Sequence, residues 1–217
     1  ASIKTTLRAK YVAKPQINTK PYGITVMYVK SANRFNECVE ATIGFEGEYS
    51  DHPNDSGGRT KYGITEGTLN GAYKAGIVSH NNIKNLTVEE TKAIYKVNYW
   101  DKCKCDDLPK PLDLYVFDTA VNCGVGTSAK FLQEVINKVV GANILAVDGI
   151  VGAMTIGAVE GWLSRYKADC TFPVLFLCNL FMDRRLQYYS NIVAKNGSQI
   201  VFLRGWLNRV LKLKEEW

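Results

Sequence analysis

The spacing of apolar residues divides most of the chain into amphipathic helices. Apolar side chains recur three or four residues apart, which predicts helices at about 36–46, 65–76, 87–99, 111–124, 127–138, 154–166, 172–194 and 198–213. Thr87 opens a capping-box pattern, and Thr127 or Ser128 is expected to cap the fifth helix. Residues 50–59 are polar and turn-rich, with a hairpin expected around Gly57-Gly58. These patterns predict a mainly α fold (α+β) with a small β element.

One acid falls on the apolar face of the first predicted helix. Glu46 lies three residues after Ile43 and seven after Val39, so the three side chains share one helical face. Gly47 follows it and is typical of a helix end, where the helix dipole is negative. Partial burial and this dipole would both raise the pKa of Glu46, which suits a general acid. The alternative is a boundary glutamate whose carboxylate is solvated.

The residues that begin with Glu46 carry the most specific motif in the chain. The motif runs Glu46-Gly47-Glu48-Tyr49 and then Asp51-x-Pro53-Asn54-Asp55-x-Gly57-Gly58-x-Thr60-x-Tyr62-Gly63-Ile64-Thr65. It resembles the signature of glycoside hydrolase family 108, the N-acetylmuramidases of bacteriophages and bacteria. The resemblance implies a lysozyme-like fold with its hairpin beside the active site, and it implies that Glu46 is the catalytic acid. Glu48 departs from the family, which usually has a second glycine there, and we expect its side chain on the surface.

Three later motifs also resemble this family, so that the resemblance covers about residues 37–213. They are Phe117-Asp118-x-Ala120-Val121-Asn122-x-Gly124, Val147-Asp148-Gly149-x-Val151-Gly152-x-x-Thr155 and Phe202-Leu203-Arg204-Gly205-Trp206-Leu207-Asn208-Arg209-Val210. The last two are similar to helical peptidoglycan-binding modules. We expect a basic N-terminal arm (1–36), a lysozyme-like catalytic segment (37–123) and a helical peptidoglycan-binding module packed on it (124–217).

Cleavage of a glycosidic bond needs an acid for the leaving oxygen and a group that stabilises the cationic sugar, and commonly both are carboxyls. Asp55, nine residues after Glu46, is the candidate second carboxyl, and Asp51 is a weaker one. A similar spacing in phage-type lysozymes implies that Thr60 or Thr65 positions a water. Asp55 equally suits a turn in which its side chain bonds its own backbone.

Aromatic residues near the motif are candidates for a saccharide cleft, because sugar rings present apolar C–H faces. The candidate substrate-binding residues are Tyr49, Thr60, Tyr62, Tyr99 and Trp100. Each aromatic side chain also suits a core position. Asn122, at a predicted helix end, is either a hydrogen-bond partner for an N-acetyl group or simply a helix C-terminal residue.

The net charge of +6 is concentrated at the N-terminus. Residues 1–36 contain seven Lys or Arg and no acid, which leaves 20 basic and 21 acidic residues in the remainder. Such an arm favours contact with an anionic envelope surface. The alternatives are a solvated tail or an extra strand, and no specific nucleic acid is expected as a partner.

Cysteine usage and hydropathy limit the other classes of protein. The six cysteines include no C-x-x-C pair and only two histidines are present, so we expect no metal and no cofactor. The thiols are expected to be reduced and partly buried. No run of about eighteen apolar residues predicts a transmembrane helix. We expect a monomer.

The resemblance implies an enzyme, and one alternative remains. The enzyme is a muramidase that cuts the β-1,4 bond after N-acetylmuramic acid in peptidoglycan glycan strands, as a phage endolysin or a virion-associated lysin. We expect it to be made in the host cytoplasm and to reach the wall by holin-type release or with the virion. The alternative is a non-catalytic wall-binding or virion structural protein on the same fold. The intact motif favours the enzyme, since a binder has no need of a half-buried acid.

Overall fold

Eight α-helices and one hairpin form the part of the chain that this computed structural model describes, residues 34–43, 60–166 and 172–215. The helices are α1 (Arg34–Ile43), α2 (Glu66–Lys74), α3 (Val88–Tyr95), α4 (Leu112–Cys123), α5 (Val125–Val140), α6 (Ala153–Leu163), α7 (Phe172–Lys195) and α8 (Ile200–Glu215). The hairpin strands are β1 (Thr60–Lys61) and β2 (Ile64–Thr65). The connections include 3₁₀ turns at Ile83–Asn85, Cys105–Asp107 and Gly197–Gln199 and a π-helical turn at Lys96–Trp100. The predicted mainly α fold with a small β element is confirmed.

Most helix ends lie close to the predicted positions. Thr87 caps α3 in a complete capping box, in which its hydroxyl accepts from the Glu90 amide and the Glu90 carboxylate accepts from the Thr87 amide. α1 begins at Arg34, two residues before the predicted start. The predicted continuation of α1 to Glu46 and the predicted turn at Gly57-Gly58 lie outside the described residues.

The start of α5 differs from the prediction. The cap expected at Thr127 or Ser128 is wrong, because α5 begins at Val125, directly after Gly124. Gly124 adopts φ 93°, a backbone conformation that glycine tolerates, and the chain passes from α4 to α5 without a loop. Ser128 is buried inside α5, where its hydroxyl donates to the Val116 carbonyl of α4 (2.7 Å).

α4 is the central helix of the fold. Every residue from Leu112 to Ala120 is buried, and the helix packs against α1, α5 and α7. A helix that is buried on all sides has no solvated polar face. Phe117 packs edge-to-face on Phe35 of α1 (ring centroids 6.1 Å apart) and on Trp100 (5.5 Å). The same hydrophobic core continues through α5, α6 and α7 to α8.

A buried ion pair corrects the sequence-based description of the basic arm. The charge pattern assigns Arg34 to that arm, but Arg34 is the first residue of α1 and donates to both carboxylate oxygens of Asp113 in α4 (2.6 and 2.7 Å). Burial raises the pKa of the Asp113 carboxyl, and the Arg34 guanidinium opposes this rise. Arg34 therefore belongs to the packed fold, and the other six basic residues of the arm precede the described part of the chain.

The hairpin is closed by a turn that α3 supports. β1 and β2 pair antiparallel, with Thr60 opposite Thr65. The two turn residues, Tyr62 (φ 51°) and Gly63 (φ 75°), are both left-handed, as a type I′ turn requires. Tyr95 of α3 donates its hydroxyl to the Tyr62 carbonyl (3.3 Å), so the turn depends on a tertiary contact.

The described cysteines are free thiols in the core or near it. Cys38, Cys103, Cys105 and Cys178 are buried and Cys123 is half-buried. Burial raises the pKa of the Cys38 and Cys178 thiols, so both behave as small apolar side chains. Within the described ranges, no helix has the length and hydropathy needed to cross a bilayer. The described residues also contain no group of three or more His, Cys, Asp or Glu side chains that could bind a metal ion.

We expect Gly63→Ala to destabilise the protein more than Gly76→Ala does. Both glycines have positive φ (75° and 72°), so each alanine incurs a left-handed backbone cost of about 1–2 kcal/mol. At Gly63 the added Cβ would meet the Tyr95 hydroxyl at 2.8 Å, whereas at Gly76 no atom of the described residues lies within 4 Å. Urea denaturation of both variants measures the difference in the free energy of unfolding.

The Tyr95→Phe background provides the control. Removing the Tyr95 hydroxyl relieves its contact with the new Cβ but leaves the backbone cost of a positive φ. In this background Gly63→Ala should therefore lower the free energy of unfolding by only as much as Gly76→Ala does. An unchanged loss in the Tyr95→Phe background would show that the close approach of Tyr95 has no influence on the turn.

Candidate active site

The residues with the strongest sequence signal lie between two described elements. Glu46, Tyr49 and Asp55 fall within residues 44–59, outside the described part of the chain. α1 ends at Ile43 immediately before this segment, and β1 begins at Thr60 immediately after it. The residues that hold α1 and the hairpin therefore set the two ends of the candidate active-site segment.

The candidate threonines lie together on the hairpin. Thr65 is the N-cap of α2, where its hydroxyl accepts from the Thr68 amide (3.1 Å) and lies 3.0 Å from the Thr68 hydroxyl. Because the Thr65 oxygen is the acceptor in the bond from the Thr68 amide, the hydrogen of the Thr65 hydroxyl can still be donated to Thr68 or to a water. Thr60 is directly opposite Thr65, so both half-buried side chains lie on one face of the ribbon.

Two candidate aromatic residues, Tyr62 and Tyr99, keep accessible surface. Tyr62 is half-buried in the hairpin turn, and the Lys61 ammonium lies 5.3 Å from its ring centroid. Tyr99 is also half-buried, and its ring packs against that of Tyr95 (5.5 Å). Burial raises the pKa of Tyr99, so its hydroxyl is neutral near pH 7. Tyr95 thus contacts both the hairpin turn and Tyr99.

Trp100 lies in the core. It is 0% exposed and packs edge-to-face on Phe35 (5.4 Å) and Phe117 (5.5 Å). The prediction that Trp100 contacts a saccharide is therefore wrong. Successive residues on a helix point about 100° apart, so Tyr99 and Trp100 face different surroundings. Here the first is partly exposed and the second points toward α4.

Asn122 is exposed on the last turn of α4, and its side chain is held in one orientation. Its Oδ1 accepts from the Tyr189 hydroxyl of α7 (2.5 Å), and the Cys123 thiol lies 3.5 Å from the same oxygen. Burial raises the pKa of Tyr189, which keeps the phenol protonated and able to donate. Within the described ranges, no residue accepts a hydrogen bond from the Asn122 amide nitrogen.

A buried polar cluster to which sequence reasoning assigned no role connects α4 with α7 and α8. Asp118 (1% exposed) accepts from Nη1 of Arg185 (2.7 Å) and from Nε of Arg209 (3.0 Å), and Nη2 of Arg209 forms an ion pair with it (2.7 Å). Arg185 is 0% exposed and also donates from Nε to the Tyr189 hydroxyl (2.7 Å). A continuous hydrogen-bonded chain therefore runs from Asp118 through Arg185 and Tyr189 to Asn122.

The same cluster reaches α1. Nη2 of Arg209 donates to the backbone carbonyl of Thr42 (3.0 Å), one residue before the last described residue of α1. Carbonyls in the last turn of a helix have no partner within the helix, and a side-chain cation is a favourable one. One guanidinium thus connects α1, α4 and α8.

The sequence contained one signal for this cluster. Asp118 directly follows the apolar and aromatic residues 114–117, and an acid that is buried there requires a paired donor. Its partners are 67 and 91 residues further along the chain, and no local pattern identifies them.

Two adjoining grooves lie along α5. One has a volume of about 430 Å³ and is bordered by the α5–α6 connection, and the other has a volume of about 290 Å³ and is bordered by α7. Glu134 and Lys138 of α5 contribute to both grooves. Glu134 is paired with Arg184 of α7, whose guanidinium lies over the Phe131 ring (4.7 Å).

Comparisons with known proteins agree with this architecture. A family model described as "Glycosyl hydrolase 108" matches residues 39–124, and one described as "Predicted Peptidoglycan domain" matches residues 127–211. The solved structure of Brucella abortus SagA is similar, with 32% identity, a TM-score of 0.64, and coverage of 86% of this chain and 94% of that chain. No curated protein matches the sequence. The predicted lysozyme-like fold with a helical C-terminal subdomain is confirmed.

The buried cluster spans the two matched segments. Thr42, Asp118 and Asn122 lie in the segment matched by the hydrolase model, whereas Arg185 and Arg209 lie in the segment matched by the peptidoglycan model. Side chains of the second segment therefore hold two helices of the first.

We expect Asp118→Asn to be strongly destabilising. The amide would leave two arginines without a counter-charge, one of them fully buried, and loss of one partner from a buried pair costs about 3–5 kcal/mol. Urea denaturation followed by circular dichroism measures the change.

Glu134→Gln is the matched control, because Glu134 also pairs with an arginine of α7 but both side chains are partly exposed. The free energy of unfolding of Glu134→Gln should fall by less than about 1 kcal/mol. An equal decrease in the free energy of unfolding for Asp118→Asn and Glu134→Gln would show that the buried carboxylate is no more important for stability than the partly exposed one.

Proposed function

Because the chain belongs to the glycosyl hydrolase 108 family, we propose that it cleaves the β-1,4 bond between N-acetylmuramic acid and N-acetylglucosamine, with Glu46 as the general acid. The broader function, a lysozyme-type peptidoglycan hydrolase, follows from the hydrolase and peptidoglycan models in one chain. One observation supports the finer assignment most: the motif from Glu46 to Thr65 lies inside the segment that the hydrolase model matches.

In the proposed mechanism, Glu46 protonates the bridging oxygen as the glycosidic bond breaks, and the leaving N-acetylglucosamine keeps that proton. Asp55 stabilises the positive charge that develops on the N-acetylmuramic acid ring. A water positioned by Thr65 then adds to the anomeric carbon and loses a proton to a carboxylate. The Thr65 hydroxyl hydrogen that remains after N-capping, and Thr60 beside it, support this assignment.

Asn122 is proposed to recognise an N-acetyl group of the substrate. The hydroxyl of Tyr189 occupies its Oδ1, so the exposed amide N–H groups are directed away from that bond and can donate to an acetyl carbonyl. Arg185 holds Tyr189 in turn (2.7 Å), which gives the exposed amide a rigid support. A donor that is already oriented loses less entropy on binding than a mobile one does.

Tyr62 and Tyr99 are proposed as the described aromatic contacts to the glycan, and Tyr49 as a further one. Both described tyrosines are partly exposed and share Tyr95 as a neighbour, which places them in one region of the surface. An aromatic ring presents an apolar face to the C–H groups of a sugar, and the neutral hydroxyl adds a hydrogen bond.

The C-terminal half is proposed to bind the wall. In this division, residues 37–123 carry the hydrolytic residues and 124–217 form the binding module, with the two α5 grooves as candidate glycan contacts. The basic residues of 1–36 that precede α1 would add attraction to an anionic envelope surface.

The combination of a hydrolase segment and a wall-binding segment in one chain supports a role as a lysin. We propose a phage endolysin that is made in the host cytoplasm and reaches the wall after holin-type release, with a virion-associated lysin as the second possibility. The two differ in whether the protein is found in purified virions, which a blot of such particles decides.

Glu46→Gln should abolish lysis while leaving the fold intact, because an amide cannot protonate the leaving oxygen. Turbidity loss of outer-membrane-permeabilised cells, and reducing ends released from purified peptidoglycan, measure the effect. We expect a loss of at least a hundredfold with an unchanged melting temperature.

The same assay tests the second carboxyl and the non-catalytic alternative. Asp55→Asn should lose most of its activity at an unchanged melting temperature, and full activity would limit Asp55 to a turn role. Equal clearing by the wild type and Glu46→Gln would remove Glu46 from the mechanism. No clearing by either protein, with retained binding to the wall, would favour the wall-binding or virion structural alternative.

For Asn122→Asp we expect a KM about tenfold higher with little change in melting temperature. The carboxylate still accepts from Tyr189 but has no N–H to donate to an acetyl carbonyl, and a lost hydrogen bond of about 1 kcal/mol or more accounts for this factor. Steady-state kinetics on soluble glycan fragments measures it. Asn179→Asp, at an exposed position of α7, carries the same charge change as a control. An equal rise in KM for both variants would assign the effect to charge alone.

A further inference from the structure

Arg209 of α8 contacts the part of the chain that leads into the active-site segment. Its Nη2 donates to the Thr42 carbonyl (3.0 Å) and forms an ion pair with Asp118 (2.7 Å), and its Nε donates to both oxygens of that carboxylate (3.1 and 3.0 Å). The side chain is only 31% exposed, and three hydrogen bonds fix the orientation of its guanidinium group. A residue of the C-terminal half is thus attached to α1 across 167 positions of sequence.

The position of the Thr42 carbonyl gives this contact its importance. Thr42 precedes Glu46 by four residues. A charged donor on the Thr42 carbonyl therefore holds the last described turn of α1, from which the chain continues toward the proposed acid.

Arg209 also lies near the support of the other end of this segment. Tyr95 holds the hairpin turn through the Tyr62 carbonyl. Burial and the neighbouring Tyr99 raise the pKa of Tyr95, and the charge of Arg209 opposes that rise, so the guanidinium lies within electrostatic reach of the phenol. Arg209 thus contacts the last described turn of α1 and lies within electrostatic reach of the tyrosine that supports the hairpin turn.

We propose that Arg209 is a positioning residue for hydrolysis: it fixes the last described turn of α1, which precedes Glu46 by a few residues in the sequence, so that the peptidoglycan-binding half helps to align the acid. The inference rests on the proposed role of Glu46 and adds to it. In this arrangement the C-terminal half has two tasks, wall binding and alignment of the acid. Its loss would therefore reduce turnover as well as affinity.

The positioning role can be separated from folding because Asp118 has a second partner. If Arg209 is replaced, Arg185 still donates to the Asp118 carboxylate (2.7 Å), and no buried charge is left alone. The glutamine of Arg209→Gln keeps a neutral N–H donor but lacks the positive charge and the bidentate geometry of the guanidinium. Arg209→Lys retains the charge and can reach one acceptor at a time.

Arg204 provides the matched control. It lies on the same helix five residues earlier and is exposed, and Arg204→Gln makes the same change in charge. The experiment compares kcat and KM of the wild type, Arg209→Gln, Arg209→Lys and Arg204→Gln on soluble glycan fragments, well below each melting temperature. Wall binding is measured separately by pelleting with purified peptidoglycan, in the Glu46→Gln background to prevent hydrolysis.

We expect Arg209→Gln to lower kcat at least tenfold with KM and pelleting changed less than twofold. Arg209→Lys should recover part of the lost kcat, and Arg204→Gln should remain within twofold of the wild type. If Arg209→Gln proves unfolded at the assay temperature, Arg209→Lys decides the question on the same criteria.

Two results would overturn the proposal. A kcat within twofold of the wild type in Arg209→Gln would show that α1 needs no support from α8. A loss confined to KM and pelleting would make Arg209 a wall contact. The proposed function fails separately, through full activity of Glu46→Gln, and neither outcome for Arg209 produces that result.

Discussion

The pairing of the buried Asp118 carboxylate with two arginines is the interaction on which the arrangement of the helices depends. Transfer of such charges out of water costs several kcal/mol per ion, and close, well-oriented hydrogen bonds must offset that cost. Here such bonds run from Arg185 and Arg209 to the Asp118 carboxylate, at 2.7–3.1 Å. Apolar side chains of similar volume could provide comparable stability, so we interpret the cluster mainly as a source of specificity. It is complete only when α1, α4, α7 and α8 adopt one relative arrangement.

This constraint connects the two halves of the sequence into one structural unit. The family matches divide the chain near residues 124–127, but α4, which ends at that division, is buried by helices from both sides. Gly124 passes the chain directly from α4 into α5, and one hydrophobic core continues across the junction. The segment matched by the hydrolase model and the segment matched by the peptidoglycan model thus share one interior.

The same organisation determines which polar groups are available to a substrate. Asn122 stands at the exposed end of a hydrogen-bonded chain whose other end is the buried Asp118. The interior thereby orients a surface amide that would otherwise rotate freely. Tyr95 acts in a comparable way on the hairpin, because its hydroxyl binds the turn next to the candidate threonines. In both cases a buried side chain supports a residue that is exposed or half-buried at the surface.

The sequence by itself determined the features that depend on near neighbours. Helix periodicity, the capping box at Thr87, the end of α4 at Gly124 and the family motif around Glu46 all arise from residues within a few positions of one another. Only the tertiary structure decided the partners of buried groups: Trp100 faces the core, Arg34 binds Asp113, and Arg209 reaches the Thr42 carbonyl from 167 residues away. The physical reason is that burial and pairing depend on the path of the whole chain. The local sequence indicates that the Asp118 carboxylate needs a hydrogen-bond donor, and the packing of the helices determines which arginines donate to it.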